Sequence, residues 1–119
     1  MSHTLKNFSL DGKVIIITGG AGLMGAKHAE AIAEAKGIPI LWDINLSAAT
    51  VVANTISNNT STEITADRVD ITNLDSIKSG FEKILNVFDK VEGLINNAAN
   101  DHKVKSDDAL TWSRFENLS

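Results

Sequence analysis

The segment from Thr18 to Gly25 carries four glycines between a short apolar run and a stretch with helical spacing. Glycine permits a tight turn and lets a bound group approach the backbone closely. The open N–H groups and partial positive charge at a helix start attract anions, by about 0.3–1 kcal/mol at exposed sites. The segment therefore predicts a phosphate-binding turn, although a glycine cluster alone is also compatible with a flexible strand-to-helix turn.

A carboxylate follows this turn at a spacing suited to a ribose. Asp43 lies eighteen residues after Gly25, at the end of a second apolar run. Its side chain can accept both hydroxyls of an adenosine ribose. A 2′-phosphate would meet the carboxylate as a like charge, and no Arg or Lys follows Asp43 to compensate. The spacing predicts NAD rather than NADP as the cofactor; the alternative is a carboxylate that only starts the next helix near Asn45.

Apolar runs and helical periodicities alternate along the chain. They predict strands over 13–18, 38–43, 63–69 and 91–96, and helices over 23–36, 46–57 and 74–89. Strands that alternate with helices of this length pair in parallel through right-handed crossovers. The predicted fold class is therefore α/β, a Rossmann doubly wound parallel sheet in the strand order 3-2-1-4, present as a truncated β-α-β-α-β-α-β half.

Capping residues and polar clusters mark the ends of these elements. Gly37 stands where a C′ glycine ends the first helix, and Asn45 is the predicted N-cap of the second. The polar residues 57–62 predict a loop after the second helix. The third helix is expected to pack on the sheet through one apolar face, formed by Ile77, Phe81, Ile84, Leu85 and Phe88.

Ligands of doubly wound sheets bind beyond the carboxyl ends of the strands, at the point where the strand order reverses. In this sheet that point lies between the first and fourth strands. Asp70 ends the third strand, where its carboxylate can bind an adenine amino group, although an Asp before Thr72 and Asn73 is equally a cap for the third helix. The segment 96–99, Asn-Asn-Ala-Ala, ends the fourth strand. Every polar motif therefore lies at one edge of the predicted sheet.

Composition limits the classes of function. The 119 residues fit a single domain, and 43% hydrophobic with 22% charged residues is typical of a globular protein. A formal net charge of −4 disfavours nucleic acid as a partner. No apolar run is long enough to span a membrane, and the first residues lack the apolar core of a secretion signal, so we expect a cytoplasmic location. The chain has no cysteine, and its three histidines lie at no metal-ligand spacing, so no metal site is expected.

The glycine segment, Asp43, Asp70-Ile71 and the segment 96–99 occur in the order and spacing of short-chain dehydrogenases/reductases. The chain resembles that family over residues 9–119. The resemblance implies hydride transfer between an alcohol or carbonyl substrate and NAD, with residues 1–119 as one NAD(P)-binding domain. It implies the following cofactor-binding residues: Gly19, Gly22, Leu23, Met24, Gly25, Asp43, Asp70, Ile71, Asn97 and Ala98.

The same resemblance implies a role for each of these residues. The three glycines would line the phosphates, and the backbone of Leu23 and Met24 would lie near the nicotinamide ribose. Asp70 and Ile71 would frame the adenine, and the segment 97–98 would contact the adenosine ribose. An Asn at a strand end is equally able to tie neighbouring strands together. The glycine spacing resembles the extended branch of the family, whereas the segment 96–99 resembles the compact branch, with Ala99 in place of the usual glycine.

The family's catalytic Tyr, Lys and Ser have no counterpart in the sequence, which contains no tyrosine, so we assign no catalytic residue. Three hypotheses stay open: a fragment of an NAD-dependent dehydrogenase, a non-catalytic NAD-binding module, and an interaction protein that pairs through the open edge of its fourth strand. The run 112–119 resembles the segment before the family's central helix and favours the fragment. A full-length form is expected to be a homo-oligomer. A resemblance to bacterial members that modify flagellin or surface sugars implies a nucleotide sugar as substrate.

Overall fold

The structure is a computed structural model that describes residues 9–97. Its four strands are β1 (Val14–Thr18), β2 (Ile38–Asp43), β3 (Thr65–Arg68) and β4 (Gly93–Asn96). Its three helices are α1 (Leu23–Glu34), α2 (Leu46–Thr60) and α3 (Leu74–Phe88). The strands are parallel and lie in the order β3-β2-β1-β4. The predicted α/β class and the strand order 3-2-1-4 are confirmed.

Helices cover both faces of this sheet. On one face Ile17 and Leu41 pack against small and aliphatic residues of α1 and α2. On the other face Ile16 and Ile40 pack towards α3, together with Trp42. Since successive residues of a strand point to opposite faces, the two central strands are buried on both sides, and this is why their sequences are almost unbroken apolar runs.

The helix α1 ends at Glu34, two residues before its predicted end at residue 36, and its C′ position lies one residue earlier than predicted. The N–H of Gly37 donates to the Ile32 carbonyl at 2.8 Å, and the N–H of Lys36 donates to the Ala33 carbonyl at 3.0 Å. This is a Schellman motif, and its left-handed residue is Lys36, with φ 71°. The prediction of Gly37 as the C′ residue was therefore wrong. The structure needs a glycine at position 37 because it has no room for a side chain there: a Cβ would lie 2.7 Å from Ile32 Cγ2.

The helix α2 begins as predicted but continues past its predicted end at Ser57 to Thr60. The side chain of Asn45 accepts the Ala48 N–H at 3.1 Å and so caps the helix. The hydroxyl of Thr60 donates to the Ile56 carbonyl at 2.7 Å. The helix ends where Ser61 adopts a left-handed conformation, with φ 57°, and donates its N–H to the Ser57 carbonyl at 2.9 Å, so the prediction of a loop over 57–62 was wrong at its start.

Four of the five predicted core residues of α3 pack on the sheet. Ile84 is buried, and Ile77, Phe81 and Phe88 are partly buried against the same cluster. Leu85 is 46% exposed, so its prediction as a core residue was wrong. It follows Ile84 by one position, a rotation of about 100° around the helix, which places it at the solvent margin of the apolar face. Within residues 9–97, no helix is long and apolar enough to cross a membrane.

Candidate cofactor-binding site

Residues 19–22 form a tight turn between β1 and α1. The N–H of Gly22 donates to the Gly19 carbonyl at 3.1 Å and closes the turn. Gly19 has φ 68°, a backbone conformation that residues other than glycine rarely adopt. Gly25 packs directly on the turn, because a Cβ at this position would collide with the Gly19 carbonyl oxygen and lie 2.9 Å from Gly20 Cα. The turn itself therefore requires Gly19 and Gly25.

Gly22 is different, because the protein does not require a glycine there. Its backbone is extended, with φ −77° and ψ 167°, which any residue can adopt. A Cβ on Gly22 would meet Gly19 O at 3.4 Å and no other described atom within 4 Å. The space in front of Gly22 is thus open, and a side chain would fill it. An open cradle at a glycine that the fold does not need fits a group bound close to the backbone.

The start of α1 borders this open space. Gly22 is the N-cap and has no side chain to accept an N–H of the first turn, and that turn contains no acidic residue. The first N–H groups of a helix have no acceptor within the helix. Leu23 and Met24, in the first turn, are 75% and 51% exposed. The residues present therefore fit a phosphate at this helix start.

Asp43 joins the end of β2 to the glycine turn. Its Oδ2 accepts the Ala21 N–H at 3.0 Å, and its Oδ1 accepts the Asn45 N–H at 2.9 Å. The second bond is the helix-start role that the sequence left open as an alternative. The first bond, to Ala21, was not predicted. The carboxylate that could bind a ribose thus lies directly beside the turn that could bind a phosphate.

The neighbouring strand carries a basic residue at the register position of Asp43. Arg68 is the register partner of Asp43 in the parallel pair of β2 and β3. No Arg or Lys stands directly after Asp43 in the sequence, but β3 carries Arg68 at this register position, and its charge contributes to the lowered pKa of Asp70. The pairing register, which the sequence does not contain, was needed to find Arg68.

Asp70 follows β3 at the same edge of the sheet. Its Oδ1 accepts the N–H and the hydroxyl of Thr72, at 2.9 and 2.6 Å. These two bonds, with a smaller contribution from Arg68, lower the pKa of Asp70 from its usual value. Because its pKa is lowered, the carboxylate stays ionised throughout the neutral range. Asp70 does not cap α3, since the cap is the side chain of Asn73, which accepts the Ser76 N–H at 3.1 Å.

Thr72→Val is expected to raise the pKa of Asp70 towards its usual value, because the substitution removes the hydroxyl donor and leaves the N–H donor. The stabilisation from this carboxylate is present above its unfolded pKa and is lost as the pH falls through the lowered folded pKa. A carbon-13 NMR titration of the Asp70 carboxyl measures the change. Ser76→Ala is the control, since its hydroxyl accepts the Asp70 N–H and does not touch the carboxylate. If Thr72→Val left the pKa of Asp70 unchanged, the Thr72 hydroxyl would not be what lowers it.

Two other predicted residues have different outcomes. Ile71 packs partly buried against the core cluster on the α3 side of the sheet. The side chain of Asn97 donates to the Gly19 carbonyl at 3.4 Å, and thus ties the end of β4 to the glycine turn. Ala98 and the segment 98–119 lie outside the described residues. The tie made by Asn97 fits the structural role that the sequence left open, and its contact with a ribose stays a prediction.

The arrangement matches a known family. The profile described as short chain dehydrogenase matches residues 13–118. The post-translational flagellin modification protein A of Campylobacter coli is 28% identical over 89 residues, 75% of this chain and 35% of that protein. The short chain dehydrogenase/reductase dpfgG of Gibberella zeae is 37% identical over 91 residues, 76% of this chain and 33% of that protein. The chain spans about a third of the length of these relatives.

Solved structures agree with the sequence comparison. An NAD+-bound xylitol dehydrogenase superimposes with a TM-score of 0.72 at 25% identity, over 83% of this chain and 40% of that chain. An NADPH-dependent 3-quinuclidinone reductase from Rhodotorula rubra gives a TM-score of 0.71 at 26% identity, over 79% of this chain and 35% of that chain. The profile, the relatives and the fold lead to one conclusion: the chain belongs to the short-chain dehydrogenase family.

Proposed function

We propose that this chain binds NAD, as the nucleotide-binding part of an oxidoreductase that transfers hydride between an alcohol or carbonyl substrate and the nicotinamide. The observation that carries the proposal is the open cradle at Gly22 beside the Asp43 carboxylate. The bound cofactor would supply the hydride chemistry, and the residues of this chain would bind and orient it. The pyrophosphate would lie against Gly22 and the first turn of α1, with Gly19 and Gly25 shaping the turn.

The adenosine would lie along the carboxyl ends of β2 and β3. Asp43 would accept the ribose hydroxyls, and Asp70 would accept the adenine amino group. Ile44 follows Asp43 and is 58% exposed, which leaves an apolar surface for the adenine ring beside the ribose. Asp43 supports NAD over NADP, because a 2′-phosphate would be repelled by the carboxylate. Arg68 is the one described cation in register with Asp43, and it would oppose this preference.

Binding without chemistry is the second candidate for the chain alone. The sequence has no tyrosine, and the family's proton transfer depends on one. A chain of this sequence is therefore expected to bind the cofactor and to be inactive by itself. The substrate class, a nucleotide sugar in particular, stays a prediction, as do the cytoplasmic location and the homo-oligomeric full-length form. If the chain associated with another chain through the edge of β4 whether or not nucleotide was present, the hypothesis of an interaction protein would be favoured instead.

Gly22→Ala tests the proposed phosphate site. The new methyl group would occupy the open cradle, so we expect NAD affinity to fall at least about tenfold, which corresponds to about 1.4 kcal/mol. The free energy of unfolding is expected to change by less than about 1 kcal/mol, the usual effect of alanine at an N-cap. Calorimetric titration and urea unfolding measure the two quantities.

Gly93→Ala is the matched control, because a Cβ there would lie 3.5 Å from Ile15, an ordinary contact at the other end of the sheet. NAD affinity should be the same in this variant as in the unsubstituted chain. Unchanged NAD affinity in Gly22→Ala would show that the pyrophosphate does not lie against Gly22.

A further inference from the structure

We propose that Asp43 is also a positioning residue, whose carboxylate holds the phosphate-binding turn in place through the Ala21 N–H. This inference rests on the proposed function, and it deepens the role of Asp43 within that site. The same side chain would then contact the adenosine ribose and set the shape of the turn for the pyrophosphate. Recognition of the two parts of the nucleotide is thereby coupled through one carboxylate.

Two hydrogen bonds connect the turn to the end of β2. The N–H of Gly20 donates to the Trp42 carbonyl at 3.1 Å, just beyond the last β1–β2 pair, which is Thr18 with Trp42. The N–H of Ala21 donates to Asp43 Oδ2 at 3.0 Å. The first bond is between backbone groups and does not depend on residue type. The second bond requires an acceptor on the side chain of residue 43, so a substitution that leaves no such acceptor removes it.

Ala21 is the position at which such a bond has the greatest influence on the turn. It lies between Gly20 and Gly22, and the missing Cβ atoms of both neighbours leave the backbone on either side with wide conformational freedom. It also directly precedes Gly22, the N-cap that faces the open cradle. A bond that fixes the Ala21 N–H therefore fixes the direction in which the Gly22 backbone and the first turn of α1 face a phosphate.

The carboxylate has the capacity for both roles. Each of its oxygens accepts one backbone N–H, from Ala21 and from Asn45. An ionised carboxylate offers about four acceptor positions, so two positions are left for the two ribose hydroxyls. Ribose binding therefore leaves the bond to Ala21 intact.

Removal of the Ala21 N–H alone separates the two roles. An ester in place of the Ala21 amide deletes the donor and leaves Asp43 unchanged. The chain has no cysteine, so a synthetic peptide 1–25 can be joined to residues 26–119 through Ala26→Cys, which desulfurisation returns to alanine. The probes are adenosine, which has the ribose without phosphate, and ADP, which has both. Their affinities are measured by NMR titration, with circular dichroism as the check of folding.

We expect the Ala21 ester to weaken ADP binding about tenfold, as the loss of a hydrogen bond to a charged acceptor does, and to change adenosine binding by less than about twofold. An ester at Asp11, whose N–H donates to Ser9 Oγ at 3.3 Å on the surface, is the matched control and should change neither affinity. Unchanged ADP binding in the folded Ala21 ester would overturn the proposal. An equal loss for both ligands would also overturn it, since the bond would then position Asp43 and not the turn.

Asp43→Asn gives a second test that needs no synthesis. The amide keeps the shape of the side chain but has one acceptor oxygen for the two N–H groups of Ala21 and Asn45. We expect a larger loss for ADP than for adenosine, and faster hydrogen exchange at the Gly22 amide. Combined with the Ala21 ester, the substitution should cause less than the sum of the two separate losses of ADP affinity. Additive losses would contradict the proposal that both changes act through the bond between Ala21 and Asp43. If the unsubstituted chain bound neither ligand, the proposed function itself would be refuted.

Discussion

Gly25→Ala is expected to lower the free energy of unfolding by about 3 kcal/mol, the upper part of the range for overpacking. The new Cβ would collide with the Gly19 carbonyl oxygen and lie 2.9 Å from Gly20 Cα. Backbone atoms cannot rotate away as a flexible side chain can, so α1 must move away from the turn. The gain in helix propensity from glycine to alanine, about 1 kcal/mol, is too small to compensate. Urea unfolding followed by circular dichroism measures the loss.

Gly22→Ala is the matched comparison for Gly25→Ala, since the two positions lie three residues apart and receive the same methyl group. The expected effects differ: Gly25→Ala lowers the free energy of unfolding, whereas Gly22→Ala lowers the affinity for NAD. A Gly25→Ala chain as stable as the unsubstituted chain would contradict the close packing of α1 on the glycine turn. The comparison therefore separates the glycine that the fold needs from the glycine that the ligand needs.

Asp43→Ala is expected to reduce NAD affinity about 100-fold or more. Each hydrogen bond to a charged acceptor contributes about 1.5–3 kcal/mol, and the substitution removes the two that we propose for the ribose hydroxyls. It also releases the Ala21 N–H, so the turn loses its connection to residue 43. For the same reason the variant should not gain high affinity for NADP, although the repelling charge is gone. Calorimetric titration with each cofactor measures both effects.

Asp67→Ala is the matched control for Asp43→Ala. It removes the same charge from the neighbouring strand, where the carboxylate of Asp67 lies 3.7 Å from the largely exposed ammonium of Lys83. NAD affinity should change by less than about twofold, because the Asp67 carboxylate faces Lys83 of α3 and makes no bond to the glycine turn. If Asp43→Ala bound NAD as tightly as Asp67→Ala, the carboxylate would have no part in the site.

The sequence predicted the fold well because its strongest signals are periodic. The apolar runs of β1 and β2 are long enough to identify strands that are buried on both faces, and the alternation with helices leaves few possible topologies. The errors occur where local hydrogen bonds outweigh composition. Lys36 adopts the left-handed conformation in front of Gly37, and α2 continues to a left-handed residue at Ser61, through a segment that composition assigns to a loop.

The candidate site was predictable in part. The spacing from the glycine segment to Asp43 indicated which residues meet, because both lie at the carboxyl ends of adjacent strands. The contact between Asp43 and the Ala21 N–H was not predictable, since a backbone N–H carries no signature in a sequence. Arg68 was missed for a related reason, because the register that places it beside Asp43 depends on the pairing of β2 with β3.

The proposed NAD site depends above all on Asp43, whose carboxylate would disfavour a 2′-phosphate. The most direct measurement is a calorimetric titration of the unsubstituted chain with NAD and with NADP under identical conditions. We expect measurable binding of NAD and an affinity for NADP at least about tenfold lower, a difference of about 1.4 kcal/mol. Equal affinities, or tighter binding of NADP, would contradict this role of Asp43.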